Sequence, residues 1–339
     1  MTEPESTRLD SIHITLRRTL TTLILILGLA AGSTPIRAAA PRRIAAPTPT
    51  PTPESGQVTL ALLGDINLGR GVYPNADTFT YLKPVLESVD LAMANLESPL
   101  TTKAVVTKSP YALCTKPERA QFLSEAGFDL LSFANNHDRD CGLSGRKETL
   151  STLKQYGLDA IPPGLVPIYR EVNGVKLAFL AINATWAFDR EGLLKAISSA
   201  RSQGAVVIVS IHWGDEYFAQ PNKFQKTLAR QMAEAGAELI WGHHPHVLQP
   251  VEWIDIPCDL RDPSKICSQT LVLYSLGNAL FDQYALPDTR QSALVMVHVD
   301  KDGVQEFHAI PFVIDEPRSR LSAADDDTAK KILEWLRPK

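Results

Sequence analysis

The sequence predicts an α/β fold, a layered sandwich of strands and helices, and three observations predict it. From Val58 onward, short apolar runs alternate with longer amphipathic stretches. The central runs, 58–63 and 206–211 among them, are apolar at nearly every position, so those strands need cover on both faces. Several runs stop at turn residues instead of continuing to helical length, which marks them as strands.

Taken in order, strands are expected near 58–63, 90–94, 129–134, 176–182, 205–211, 238–241 and 270–276. Helices are expected at Phe79–Glu87, Pro117–Ala126, Ser144–Tyr156, Glu191–Ser202, Phe224–Ala235 and Ala323–Leu336. Apolar residues recur there at 3.6-residue spacing, and Gly or Pro punctuates several ends. Strands near 293–299 and 305–312 flank Asp300-Lys301-Asp302-Gly303, a turn that predicts an antiparallel hairpin. The domain organisation is a targeting or anchoring segment over 1–40, a linker over 41–56, one globular domain over 57–315 and a C-terminal helix within 316–339.

The N-terminal segment is read from its composition. Thr19 to Gly32 is uncharged and rich in Leu and Ile, follows Arg17-Arg18, and is shorter than the about 20 residues a membrane span needs. Ala38-Ala39-Ala40 offers a small-residue cleavage site. Arg37, Arg42 and Arg43 lie beyond the run and weaken the charge asymmetry of an anchor, so a cleaved signal and a retained anchor both stay open. The alternating Pro and Thr of 47–53 form neither helix nor central strand and suit an extended spacer. The expected location is therefore outside the cytoplasm, secreted or membrane-anchored. A net charge of −4, with no basic cluster interleaved with aromatics, excludes a nucleic-acid partner.

Cys114, Cys141, Cys258 and Cys267 all lie beyond the spacer. An even count in an exported domain allows two disulfides. Cys258 and Cys267 flank a polar loop and are expected to form a local staple, leaving Cys114 with Cys141; four free buried thiols are the alternative.

Chemistry is expected where strands end. Asp65, Glu97, Asn136-His137, His212 and His243-His244-Pro245-His246 each follow an apolar run, and functional groups of open α/β sheets collect outside the carboxyl ends of their strands. His244 and His246 sit in a turn stiffened by Pro245, with His243 facing away or supporting. Asp140 is placed to orient an imidazole, and Glu216 to orient His212. Trp213 reads equally as cleft wall or core. Gly69 and Gly71 near Asn67 allow backbone to approach a ligand. Carboxylate, amide and imidazole without thiolate suit a divalent transition metal (Mn, Fe or Zn), as one ion or as two sharing a carboxylate.

These motifs carry a resemblance. Gly64-Asp65-Ile66-Asn67-Leu68-Gly69-Arg70, Asn95-Leu96-Glu97-Ser98-Pro99, Ala134-Asn135-Asn136-His137, His212-Trp213-Gly214 with Glu216-Tyr217, Gly242 with His244-Pro245-His246-Val247, and Tyr274-Ser275-Leu276-Gly277-Asn278 occur in this order. Together they resemble the CapA family of capsule or poly-γ-glutamate biosynthesis proteins, over about residues 57 to 315. That family is similar in fold to calcineurin-like metallophosphoesterases, so the resemblance implies a four-layer α/β/β/α sandwich. It also implies a bacterial, outward-facing, membrane-anchored protein. It implies Asp65, Glu97, Asn136, His212, His244 and His246 as metal ligands and His137 as the catalytic residue. Asn67, Arg70, Asp140, Glu216, His243, Asn278 and Asp282 stand around them as supporting or substrate-facing groups. Two positions depart from the metallophosphoesterase pattern. Asn67 stands where that pattern has His, and Glu97 where it has the bridging Asp.

Two functions are carried forward. One is a metal-dependent hydrolase of the envelope, with His137 as general acid toward a phosphoester or a γ-glutamyl amide. The other is a non-catalytic component of a synthesis or export complex that binds an anionic polymer and contacts its membrane components. A retained His137 among six candidate ligands favours the first; the membrane tether and altered ligand set favour the second.

Overall fold

The computed structural model describes residues 56–259, 262–316 and 319–338. The expected targeting segment, and all of the linker except Gly56, lie outside the described residues. Among the described residues no helix is long and apolar enough to cross a membrane.

Two sheets, with strands numbered in chain order, make up the fold. The first contains β1 (Gln57–Ile66), β2 (Leu91–Leu96), β3 (Leu130–Ser132) and β4 (Asp159–Ile161), all parallel. On the other side of β1 run β12 (Gln291–Asp300), β13 (Gly303–Asp315) and β14 (Arg320–Ala323), each antiparallel to its neighbour. Short β11 (Asn278–Leu280) pairs with the end of β1. The second sheet has the order β5 (Gly164–Val172), β6 (Val175–Asn183), β7 (Val206–His212), β8 (Leu239–His243), β10 (Asp262–Leu273), β9 (Val251–Asp259). Its β6, β7, β8 and β10 are parallel.

Side-chain alternation on these strands builds three cores. Leu60 and Leu62 of β1 and Val295 and Val297 of β12 meet Phe179, Ile208, Trp241 and Leu271 of the second sheet, so the sheets pack face to face. Ala61 and Leu63 point the opposite way, into a core with Leu86 of α1 (Lys83–Leu86), Leu123 of α2 (Ala120–Ala126) and Leu153 of α3 (Gly142–Gln155). Val207 and Val209 do the same on the second sheet. They pack with Leu193 and Ile197 of α4 (Arg190–Ser202) and Leu228 and Met232 of α5 (Lys223–Ala235). Each buried Val, Leu, Ile, Phe or Met among them contributes about 1.5–3 kcal/mol. This two-sided burial is why the central strands are apolar at successive positions. Two polar contacts join the sheets near the strand ends: the Trp241 indole donates to the Leu63 carbonyl at 3.0 Å, and Ser210 Oγ donates to Ser132 Oγ at 2.6 Å.

Some expected elements differ. The helix expected over Phe79–Glu87 shrinks to α1, because Pro84 suits only a first turn and the preceding residues form turns. The helix expected from Ala323 begins at Asp326 as α6 (Asp326–Trp335). Asp325 caps it by accepting the Thr328 N–H at 2.8 Å, while Ala323 belongs to β14. Cys258 and Cys267 do not flank a loop but lie on the paired strands β9 and β10. Both expected disulfides are present, Cys258–Cys267 and Cys114–Cys141, with Cα separations of 4.8 and 6.3 Å.

Candidate metal centre

Five parallel strands, three from one sheet and two from the other, deliver the candidate residues. Asp65 lies on β1, Glu97 just past β2, Asn136 and His137 past β3, His212 at the end of β7, and His244 and His246 past β8. Asp65, Glu97, His212 and His246 are buried.

Asp65 is the hub. A side chain at Gly64 would collide with the Gly277 carbonyl, which accepts the Asp65 N–H at 3.0 Å; glycine is what lets the backbone close there. The Asp65 carboxylate accepts Asn95 Nδ2 at 2.8 Å and the His244 N–H at 3.1 Å. Its oxygens lie 3.4 Å from His243 Nδ1 and 3.3 Å from His246 Nδ1. His244 and His246 both have left-handed backbones, with φ of 96° and 58°. Non-glycine residues held there cost of order 1–3 kcal/mol each and cluster at functional sites.

Glu97 is ringed by imidazoles. Its Oε1 stands 3.7 Å from His212 Nε2 and 3.8 Å from the Nε2 atoms of His137 and His246. Those separations are too long for hydrogen bonds. Two ligands each about 2.1 Å from one ion stand roughly 3.4 Å apart in a tetrahedral shell. Both Glu97 oxygens, both ring nitrogens of His212, Asn136 Oδ1 and His244 Nδ1 are buried without a hydrogen-bond partner. Leaving such a group unpaired costs about 1–3 kcal/mol, and a bound cation would satisfy the oxygens and one nitrogen of each ring. The residues present therefore fit a divalent ion. Ligand atoms of Asp65, Glu97 and His246 lie within 4.8 Å of one another, as do those of Glu216, His244 and His246.

The electrostatics of His212 and His244 agree with ligation. Burial lowers the His212 pKa well below its usual value, and burial with the neighbouring His246 takes His244 down to about 4, so both rings are neutral and able to coordinate. Burial raises Glu97 to about 7. Burial opposes charge on His246, but Glu97 and Asp65 outweigh it and raise its pKa to about 9. Burial likewise opposes charge on Asp65, yet His243 and His246 hold its carboxyl well below the usual range.

The surrounding residues fall into place as follows. Asp140 Oδ2 lies 2.7 Å from His137 Nδ1, and His137 N–H donates to Asn135 Oδ1. Asn278 Oδ1 meets His246 Nδ1 at 2.9 Å. His243 does not face away: it is buried beside Asp65 with Nε2 3.1 Å from Ser210 Oγ. Asn67 turns its amide elsewhere, accepting the Gly69 N–H at 2.7 Å and donating to Asp282 at 3.3 Å. Arg70 pairs with Asp282 through Nε at 2.6 Å and a second guanidinium nitrogen. Arg70, Tyr111, His137, Glu216, Tyr217 and Asp282 line the open cleft above the ligands.

One expectation is corrected and one open alternative is decided. Glu216 does not orient His212, whose ring nitrogens have no hydrogen-bond partner; it stands by His244 and His246. The turn at Gly214, φ 83°, carries the chain past His212. Trp213 is not a cleft wall but buried core, its indole donating to the Tyr274 carbonyl at 3.0 Å. Asn95 and Asn135 were not singled out as site residues. Asn135 donates to Asn95 Oδ1 at 3.3 Å and to the Leu96 carbonyl at 2.8 Å, linking the His137 turn to Asp65. Their position beside Glu97 and Asn136 was the available signal.

Comparison with known proteins adds an independent line. The family model described as bacterial capsule synthesis protein PGA_cap matches residues 59–283, a span that runs from β1 to just past β11. The chain is 34% identical over 308 residues to the PGA biosynthesis protein CapA of Bacillus subtilis strain 168, covering 82% of this chain and 77% of the relative. It is 32% identical over 320 residues to the capsule biosynthesis protein CapA of Bacillus anthracis, covering 84% and 74%. A probable polyglutamine synthesis accessory protein of Mycobacterium tuberculosis is 23% identical over 202 residues, covering 50% and 53%. With the matched region containing Asp65, Glu97, Asn136, His137 and the late histidines, the chain belongs to the bacterial capsule synthesis protein family, PGA_cap.

Proposed function

We propose that the cleft is a metal-dependent hydrolytic site that acts on an anionic polymer or related substrate of the bacterial envelope. The observation that carries this is Glu97, whose buried oxygens have no hydrogen-bond partner while three imidazoles face one of them at 3.7–3.8 Å. Asp65, Glu97, Asn136, His212, His244 and His246 would hold one or two ions of Mn, Fe or Zn, since a set of oxygen and imidazole donors without thiolate suits these metals. A bound ion of this kind supplies Lewis acidity and a water activated near neutral pH. The sheets flanked by helices agree with the α/β/β/α sandwich of metallophosphoesterases.

His137 is the proton donor in this reading. Asp140 holds Nδ1, and burial, which opposes charge, is outweighed by Asp140 and Glu97, so the ring pKa rises. Nε2, 3.8 Å from Glu97, is left to face the cleft and to pass its proton to a leaving group. Arg70, fixed by Asp282, places a cation at the mouth where an anionic chain would enter. The names of the relatives, PGA and capsule biosynthesis proteins, support a polymer as the substrate class. Two disulfides support a location outside the cytoplasm.

One observation favours the second reading, a polymer-binding or export component without turnover. Asn67 spends its amide on Gly69 and Asp282, so that position adds no donor to the cleft. Assay of the metal-loaded domain from Gln57 against phosphoesters and γ-glutamyl peptides separates the two. Hydrolysis abolished by chelation supports the enzyme; polymer binding with no hydrolysis supports the alternative.

A further inference from the structure

We propose that His298, Glu306 and His308 form a zinc-binding site on the β12–β13 hairpin, apart from the cleft and independent of the reading given to it. His298 pairs with Thr59, near the start of β1. Asp65 lies six residues further along the same strand, so at about 3.3 Å per residue the two places are roughly 20 Å apart.

The strand register brings the three side chains together. Val297 and Val299 of β12 face the core between the sheets, so His298 points the other way, as does Met296, which packs on the core beneath the helices of the first sheet. On β13, Val304 and Phe307 both pack toward the inter-sheet core although they are three residues apart. Strict alternation would forbid this. The pairing shifts between His298–Glu306 and Val299–Val304, a β-bulge that leaves Gln305 as the extra residue. The bulge turns Glu306 and His308 to the face of His298. Glu306 then stands directly across from His298, and His308, two residues on, lies opposite Met296. Residues directly opposite in an antiparallel pair have Cβ atoms about 4.5–5.5 Å apart, close enough for their side chains to share one ligand.

The donor chemistry suits a zinc-class ion. Ligand atoms of His298, Glu306 and His308 lie within 4.8 Å of one another. His308 Nε2 stands 3.7 Å from Glu306 Oε2. That is too long for a hydrogen bond but near the roughly 3.4 Å between two ligands of one tetrahedral ion. The rings of His298 and His308 are nearly perpendicular, at 74° with centroids 6.0 Å apart, so the pair is not a stack. On its other side His298 Nδ1 lies 3.2 Å from Thr59 Oγ1. An ion on Nε2 places the ring proton on Nδ1, where it donates to that hydroxyl, the support a ligating imidazole usually has. Thr59 is fixed in turn, its N–H donating to Asp90 Oδ2 at 2.8 Å. Two imidazoles and a carboxylate, with a fourth position left to water, match the donor set of open zinc sites. An ion there would tie β13 to β12 and, through Thr59, to β1.

The test is the zinc content of the untagged full chain, stripped of metal, reloaded and desalted, beside His308→Ala and Glu306→Gln. Each variant is also made in a His244→Ala background, which weakens the ion of the cleft. Glu306 and His308 are exposed, so without metal both variants should melt at the temperature of their parent. The expected result is one zinc fewer in each variant, in both backgrounds. Zinc should also raise the melting temperature of the His244→Ala chain, and His308→Ala should remove that rise. Equal zinc content in His308→Ala and its parent would overturn the proposal. A loss seen only where His244 is intact would overturn it too, because the substitutions would then be acting on the cleft. Loss in His308→Ala with none in Glu306→Gln would remove the carboxylate and with it the three-donor site.

Discussion

His137 Nδ1 lies 2.7 Å from Asp140 Oδ2, and that same oxygen accepts the Leu113 N–H at 2.9 Å. The orientation of the imidazole is thereby tied to the segment that carries Tyr111 and Cys114. Cys114 follows Leu113, Cys141 follows Asp140, and the two are disulfide-bonded. The Asp140 carbonyl also accepts the Val106 N–H at 2.8 Å. One carboxylate, one disulfide and one loop thus hold a single ring.

His137→Ala should leave ion content unchanged and lower turnover by about 10²–10⁴-fold, the usual worth of general acid catalysis. Steady-state rates beside metal analysis of the same sample check both halves. Unchanged turnover, or loss of the ion, would remove His137 from the proton-donor role.

The two disulfides should separate in their effects. By the chain-entropy model, Cys258–Cys267 contributes about 2.6 kcal/mol and Cys114–Cys141, which closes a longer loop, about 3.6 kcal/mol. Replacing Cys258 and Cys267 by Ser should lower the melting temperature and spare the cleft, since β9 is the outermost strand of its sheet. Replacing Cys114 and Cys141 by Ser should lower both stability and turnover, because Asp140 adjoins the bridge. Equal turnover in the two double variants would break the link drawn between that bridge and His137.

A chain beginning at Gln57 should be soluble and melt cooperatively. The ground is that β1 begins at Gln57 and the three cores are built from residues 58 onward. Thermal unfolding followed by circular dichroism checks it, and aggregation or a broad, non-cooperative transition would count against it.

What could be read from the sequence follows burial. β1, β2, β7 and β8 were legible because both of their faces are covered and their apolar runs are continuous. The four outermost strands, β14, β4, β5 and β9, were not. Pro167 interrupts β5 and Pro257 interrupts β9, and proline reads as loop although sheet edges tolerate it. β4 and β14 are too short to show a period. At the site, the residues that directly follow central strands were legible for the same reason. Glu216 was misplaced because its partners are set by the Tyr217–Pro245 backbone bond, a contact between two turns that no local pattern announces. The Asn95–Asn135 link was missed because it joins neighbouring strand ends far apart in sequence.

The central claim is that Asp65, Glu97, Asn136, His212, His244 and His246 hold a divalent ion. Elemental analysis of purified protein, loaded with Mn or Zn and exhaustively desalted, tests it most directly when wild type and His244→Ala are measured together. At least one ion per wild-type chain is expected, with a clear loss in His244→Ala. A wild-type protein that folds and melts cooperatively yet retains no ion would contradict it.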